Sequence, residues 1–401
     1  MSKWKIIELN DVCEFIKDGT HQTPKYSETG FIFLSSKNVK NGVIDWNDVK
    51  FIPNELHEKL YNVLKPQVND ILLAKNGTTG IAAIVDREEI FDVYVSLAVL
   101  RPNQKIINPN YLLCAINSPQ TKLQFDLSLK GIGVPNLHLN SISKTTIPLP
   151  PLETQRKIAD NLDKVSHTID LCSAILEKLD LLVKSRFVEM FGDPVINPYN
   201  LGTKKLSELS ELITKGASPK WQGFSYTVDT TQTLFITSEN VREGYIDITN
   251  PKYIENSFNE KQKRSILKKG DFLINIVGAS IGRAAQFTLN CKANINQATA
   301  LVRINNHEII DKYLLIYLNF EKALQMYEEM KSDTGRANLS LEDIGNLVVL
   351  LPSLDLQEKF AAFVEQTEKS KATVKQVQEK AETLKKKLMQ DYFDRKDIYE
   401  F

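Results

Sequence analysis

The sequence predicts an α+β chain in which two tandem α/β domains are separated by two long helices that form an antiparallel coiled coil. Three observations predict this. The second half echoes the first at an offset of roughly 202 residues. Each half opens with short apolar runs broken by Gly, Asn and Thr, the mark of strands and turns. Each half closes on a stretch without internal proline or glycine that carries a heptad seam.

The repeat is ordered along the whole chain. FLSSKNVKNGVID (Phe33 to Asp45) is answered by FITSENVREGYID (Phe235 to Asp247), and the segment ending at Gly19 by the one ending at Gly216. NDILLAKNGTTGIAA (Asn69 to Ala83) is answered by GDFLINIVGASIGRAA (Gly270 to Ala285), with one extra residue before Gly282. Tyr111, Leu112 and Leu113 match Tyr313, Leu314 and Leu315, and VPNLHLNSI from Val134 is answered by ANLSLEDI from Ala337. Within each copy, GFIFLS, DILLA and IAAIV read as strands, while PNYLLCAINS and DKYLLIYLNFEKALQMYEEM read as helices.

The helical stretches follow Pro151 and Pro352. In the first, Ile158, Leu162, Val165, Ile169, Cys172, Leu176, Leu179 and Val183 alternate steps of four and three. In the second, Phe360, Val364, Thr367, Val374, Val377, Ala381, Leu384 and Leu388 make a more polar seam. About 40 residues of helix make a rod of about 60 Å. One rod cannot bury its stripe alone, and two that follow their globules in tandem close most simply by pairing antiparallel. The boundaries are a first domain over 1–150, a first long helix over 151–192, a linker and second domain over 193–352, and a second long helix with a C-terminal tail over 353–401.

Composition bounds the function. With 42% hydrophobic and 25% charged residues the chain is folded rather than disordered. Fifty basic residues against fifty acidic leave no net charge, so a nucleic-acid-facing surface must be a local patch. Cys13, Cys114, Cys172 and Cys291 have no C-x-x-C spacing, which fits a reducing cytoplasm, and no apolar run is long enough for a membrane span. The five histidines show no metal-ligand spacing, so no metal is expected, and KGIGV and NGTTG complete neither a dinucleotide nor a Walker motif.

The stretch IPLPPLETQRKIADNL (Ile147 to Leu162), which closes a globule and opens a long helix ending in MFGDP, resembles the specificity subunits of Type I restriction-modification systems. In the second copy Leu351, Pro352, Leu354 and Gln357 match Leu149, Pro150, Leu152 and Gln155, with Ser353 in place of the second proline and Phe360 in place of the isoleucine. The resemblance implies two target-recognition domains, each reading one part of a bipartite, asymmetric site in double-stranded DNA. It implies a non-catalytic subunit that binds two methyltransferase subunits and, with them, nuclease/translocase subunits. S-adenosylmethionine, ATP and Mg would sit on those partners and none on this chain.

Three loop families at matching places are the candidate DNA contacts. The first is Thr20, His21, Gln22, Lys25 and Tyr26 after Gly19, echoed by Ser218, Lys220 and Trp221 after Gly216. The second is Lys75, Asn76, Thr78 and Thr79, echoed by Asn275, Ser280 and Arg283; the third is Lys130 and Asn136, echoed by Arg336 and Asn338. Small residues admit phosphates to backbone N–H groups, and Lys, Arg, Asn and Gln bond phosphates or base edges. The bland alternative is that Gly, Asn and Thr form turns. Ile175 and Leu182, beside the main seam, are the candidate partner-binding positions.

Two other functions fit the sequence less well. A duplicated enzyme would repeat its acids with their bases, and Asp70 with Asp271 and Asp45 with Asp247 repeat without lysines or histidines. Asn197-Pro198-Tyr199 is similar to part of an adenine methyltransferase motif, but no glycine-rich loop precedes it, and a linker turn accounts for it. A protein-only scaffold would bind partner helices along the rods and no DNA.

Overall fold

The computed structural model describes residues 4–40, 42–77, 79–129, 135–305, 307–321 and 338–394. The chain divides into two compact units, residues 1–174 with 375–401, and residues 175–374. Each division falls inside a 40-residue helix, Leu152–Phe191 or Leu354–Phe393. The first helix begins directly after Pro151 and the second after Pro352 with one residue, Ser353, between, because proline cannot continue a helix backwards.

In the first unit a four-stranded antiparallel sheet has the order Cys13–Asp18, Leu97–Pro102, Ile71–Ala74, Ala82–Ile84. A second sheet pairs Phe31–Leu34 antiparallel to Lys50–Ile52 and parallel to Phe91–Val93. A third pairs Lys5–Glu8 with Thr146–Leu149. The second unit repeats all three: Ser210–Lys215, Thr299–Ile304, Phe272–Asn275, Ala284–Gln286; then Thr233–Ile236 between Tyr253–Ile254 and Ala293–Ile295; then Gly202–Lys205 with Val348–Leu351.

The central strands are apolar on both faces because both faces are covered. Ile71, Leu73, Ala98 and Leu100 face one core, with the helix Pro109–Ile116, Ile158 and Leu162; Leu72, Ala74, Leu97 and Val99 face another, with Leu34, Phe91 and Val93. The alternation follows from the two-residue period of a strand. In the second unit Phe272, Ile274, Ala300 and Val302 likewise oppose Leu273 and Leu301.

Each unit contains a piece of both long helices. In the first, Asn161 Nδ2 lies 3.4 Å from Tyr392 Oη, and Gln378 Nε2 donates to Ser173 Oγ at 3.1 Å. In the second, Lys371 pairs with Asp180, and the rings of Phe187 and Phe360 are 5.6 Å apart, centre to centre. Along each pair one residue number falls as the other rises, so the helices run antiparallel, as the sequence predicts. All eight expected seam positions of the first helix are buried or half-buried. The second departs from expectation: Val377 and Leu384 are exposed, and Gln378 and Lys385 take their places. The four-and-three step from Val374 through Gln378, Ala381 and Lys385 to Leu388 is set by helix geometry, and the apolar side chains one position earlier point off the seam.

Candidate nucleic-acid interface

Strand register brings the loops together. Asp18 lies opposite Ala98, Leu97 opposite Ala74, and Leu73 opposite Ala82, so the segments beyond Asp18, Ala74 and before Leu97 leave the same end of the sheet. Thr20 bridges Tyr94, with Thr20 N donating to Val93 O at 3.1 Å. A side chain at Gly19 would lie 1.8 Å from Val93 O, and one at Gly216 equally close to Ile295 O, so only glycine lets this loop pass in either unit. Asn76 bridges Asn136, and Leu137 N donates to Lys75 O at 2.8 Å; Val277 bridges Asn338, and Leu339 N donates to Ile276 O at 2.9 Å. The three loop families therefore converge in the first unit, and the second and third are joined identically in both.

Within the cluster the candidate residues divide by direction. His21, Gln22, Lys25, Tyr26, Asn136, Lys220, Trp221 and Asn338 are exposed, Trp221 by 83%. Thr20, Asn76, Thr79, Ser218, Ser280 and Arg283 are half-buried. Lys75 is buried, its ammonium 2.6 Å from Asp18 Oδ2, with His21 Nε2 3.4 Å from the other oxygen. It ties the second loop to the first. Asn275 is fully buried and donates to Ser238 O at 2.9 Å and Ser280 Oγ at 3.1 Å. Asn76 Oδ1 and Asn275 Oδ1 are buried acceptors without a hydrogen-bond partner among the described residues. Thr78, Lys130 and Arg336 lie outside the described residues.

The structure re-registers two of the echoes. Gly80 N donates to Ala74 O and Gly282 N to Asn275 O, so Asn275 stands where the first unit has Ala74, and Lys75 and Asn76 correspond to Ile276 and Val277. Tyr26 corresponds to Tyr226, not to Trp221: Ser27 bridges Phe51 as Thr227 pairs with Tyr253. Trp221 belongs to a Lys220–Gln222 turn held by Lys261, whose ammonium donates to Gln222 O at 3.3 Å and lies 4.9 Å from the Phe224 ring centre. Sequence reasoning missed Tyr226 because the loop before it is longer than its counterpart.

The repeated acids have structural partners. Asp70 accepts two hydrogen bonds from Arg101, at 2.9 and 2.8 Å, and Asp271 accepts two from Arg303, both at 2.7 Å. The carboxylates raise both guanidinium pKa values, burial opposing them. Asp45 and Asp247 close tight turns, accepting from Asn47 N and Thr249 N at 3.0 Å. Asn197 and Asn200 have left-handed backbones, and Asn197 bonds Leu201 through both side-chain atoms, so Asn197-Pro198-Tyr199 is a turn. Among the described residues no group of three or more His, Cys, Asp or Glu could hold a metal ion, and no helix is long and apolar enough to cross a membrane.

On the first long helix, Ile175 and Leu182 are exposed by 42% and 46%. The motif glutamines are interior. Gln155 Oε1 accepts from Asn108 N at 2.8 Å while Nε2 donates to Pro150 O and Ile106 O; Gln357 makes the same three bonds to Ile310 N, Pro352 O and Glu308 O.

Comparison with known proteins agrees with this duplicated layout. Residues 1–181 and 203–383 each match the family described as Type I restriction modification DNA specificity domain. The chain is 25% identical over 394 residues to the Type I restriction enzyme EcoKI specificity subunit of Escherichia coli strain K12, covering 90% of this chain and 82% of that one. It is 25% identical over 259 residues to the EcoBI specificity subunit of Escherichia coli, 59% of this chain, and spans about half the length of that relative, 54%. In fold it is similar to a solved chain from work on complex assembly and conformational transition of the type I R-M system, with TM-score 0.61, 20% identity and 97% of both chains covered. The chain, with a matching domain in each half, thus belongs to the Type I restriction modification DNA specificity domain family.

Proposed function

We propose that this chain is the non-catalytic specificity subunit of a Type I restriction-modification complex, reading a bipartite, asymmetric site in double-stranded DNA through two recognition domains. The observation that carries the reading is the convergence of three polar loop families at one end of the first unit's sheet, with the second and third families joined in the same way in the second unit. The domains are residues 1–150 and 193–352, followed by helices over 151–192 and 353–401. The loop residues proposed above supply phosphate and base contacts. Two methyltransferase subunits, with nuclease/translocase subunits beside them, carry the S-adenosylmethionine, ATP and Mg chemistry in the cytoplasm. The resemblance in fold to a chain from an R-M assembly supports this partnership.

Mapping methylated adenines genome-wide, with and without this chain, tests the function. A two-part motif separated by an unread spacer should lose methylation when the chain is deleted. An unchanged methylome would refute the reading. The purified chain alone should turn over neither S-adenosylmethionine nor DNA.

A further inference from the structure

Tyr26 and Tyr226 occupy one structural address in the two units, and each is exposed, by 44% and 53%. Each ring leans on a fully or nearly buried phenylalanine, Phe33 at 6.1 Å and Phe235 at 5.9 Å between centroids. Each has a lysine near its ring, Lys50 Nζ at 4.0 Å and Lys252 Nζ at 5.8 Å from the centroid. Lys50 and Lys252 are themselves equivalent, since Phe31 opposes Ile52 as Thr233 opposes Ile254. Phe51 beside Lys50 is answered by Tyr253 beside Lys252, but other aromatic neighbours are not kept: Phe31 is matched by Thr233, Trp46 by Ile248 and Tyr94 by Asn296. The tyrosine and lysine persist together where the surrounding surface has changed.

The chemistry of the pair suits one ligand. A ring near the ammonium orders the lysine without using its three N–H donors. The tyrosine hydroxyl adds a neutral donor beside a compact point charge, which suits a phosphate oxygen better than the two-pronged edge of a base. In the first unit the pair adjoins the proposed reading loop, because Tyr94 packs on the same Phe33 and its hydroxyl is 3.1 Å from Thr23 Oγ1. We propose that Tyr26 with Lys50, and Tyr226 with Lys252, are duplicated clamps for DNA backbone phosphates, one beside each reading surface. The proposal rests on the reading of the two units as DNA-recognition domains.

The clamps are not equally poised. Lys252 Nζ is 2.8 Å from Glu239 Oε2, and the first unit has Lys37 at the place of Glu239. A phosphate at Lys252 must share the ammonium with that carboxylate, whereas the first unit has a lysine in place of the glutamate.

The test uses the full chain assembled with its methyltransferase subunits and a fluorescent duplex carrying the motif found by methylome mapping, titrated over a range of salt, with a random duplex alongside. Lys50→Gln and Lys252→Gln should each weaken binding to both duplexes by the same factor and lower the slope of log affinity against log salt by about 1. Glu239→Gln should tighten binding. A purely structural staple predicts instead that the lysine variants lower the melting temperature and leave the salt slope alone. Folded lysine variants with the wild-type slope, or variants that relax one base position, would overturn the clamp. Wild-type complex that fails to prefer its motif would instead overturn the DNA-reading function itself.

Discussion

The side chain of Gln155 accepts a hydrogen bond from the backbone N–H of Asn108 at 2.8 Å, and through its amide it also holds the carbonyls of Pro150 and Ile106. One fully buried residue thus joins the start of the long helix to the cap of the helix Pro109–Ile116. Gln155→Leu leaves three backbone groups without these partners and should cost about 3 kcal/mol or more, at about 1–3 kcal/mol for each orphan that water cannot reach. Gln357→Leu should cost as much. Denaturant unfolding of the full chain, followed by a signal from each unit, checks both.

Arg101 and Arg303 satisfy buried carboxylates with two parallel bonds each. Arg101→Ala strands Asp70, which is 2% exposed, and should destabilise the first unit by about 3 kcal/mol. Arg101→Lys should recover only part of this, because an ammonium cannot reproduce the fork. Equal stability of wild type and the alanine variant would show the pair to be energetically idle.

His57 and Asp92 form a buried pair, with His57 Nδ1 2.7 Å from Asp92 Oδ2, and the second unit has Asn259 and Asn294 in the same places, 2.8 Å apart. The double variant His57→Asn, Asp92→Asn should therefore fold, whereas Asp92→Ala alone should lose about 2 kcal/mol or more by orphaning the imidazole. Burial raises the Asp92 pKa, and His57 opposes the rise. Between the ordinary carboxylate value and this raised one the folded chain binds more protons, so this carboxyl makes stability fall as pH rises through the window. The double variant should lack that contribution, which unfolding curves across the acid range would reveal.

Burial pushes the Cys13 thiol up to about 12 and Cys114 to about 11, so both stay protonated and unreactive near neutral pH. Cys291 is exposed. Alkylation of the native chain at pH 8, read by mass spectrometry, should label Cys291 first, and Cys291→Ser should remove the fast phase.

Ile175 and Leu182 are apolar and exposed beside the helix seam. Glutamate at both should leave the melting temperature within a few degrees of wild type and abolish co-purification with methyltransferase subunits. Retained association would move the partner surface elsewhere.

Local patterns made much of this legible from residues alone. The repeat, the strand runs, the proline-bounded 40-residue helices and the first helix seam all depend on short-range periodicity, which the chain carries wherever it folds. The convergence of Asp18, Ala74 and Leu97 at one sheet end was decided by tertiary structure, because strand register joins residues far apart in sequence. So was the direction of each candidate: Lys75 and Asn275 read as loop donors but turn inward to Asp18, Ser238 and Ser280. Tyr226 could be matched to Tyr26 only through strand pairing, since loop length shifts sequence offsets but leaves hydrogen-bond partners in place. The sequence determined which elements form, through propensity and period; which side chains share a surface was settled only when distant strands paired and buried one face of each.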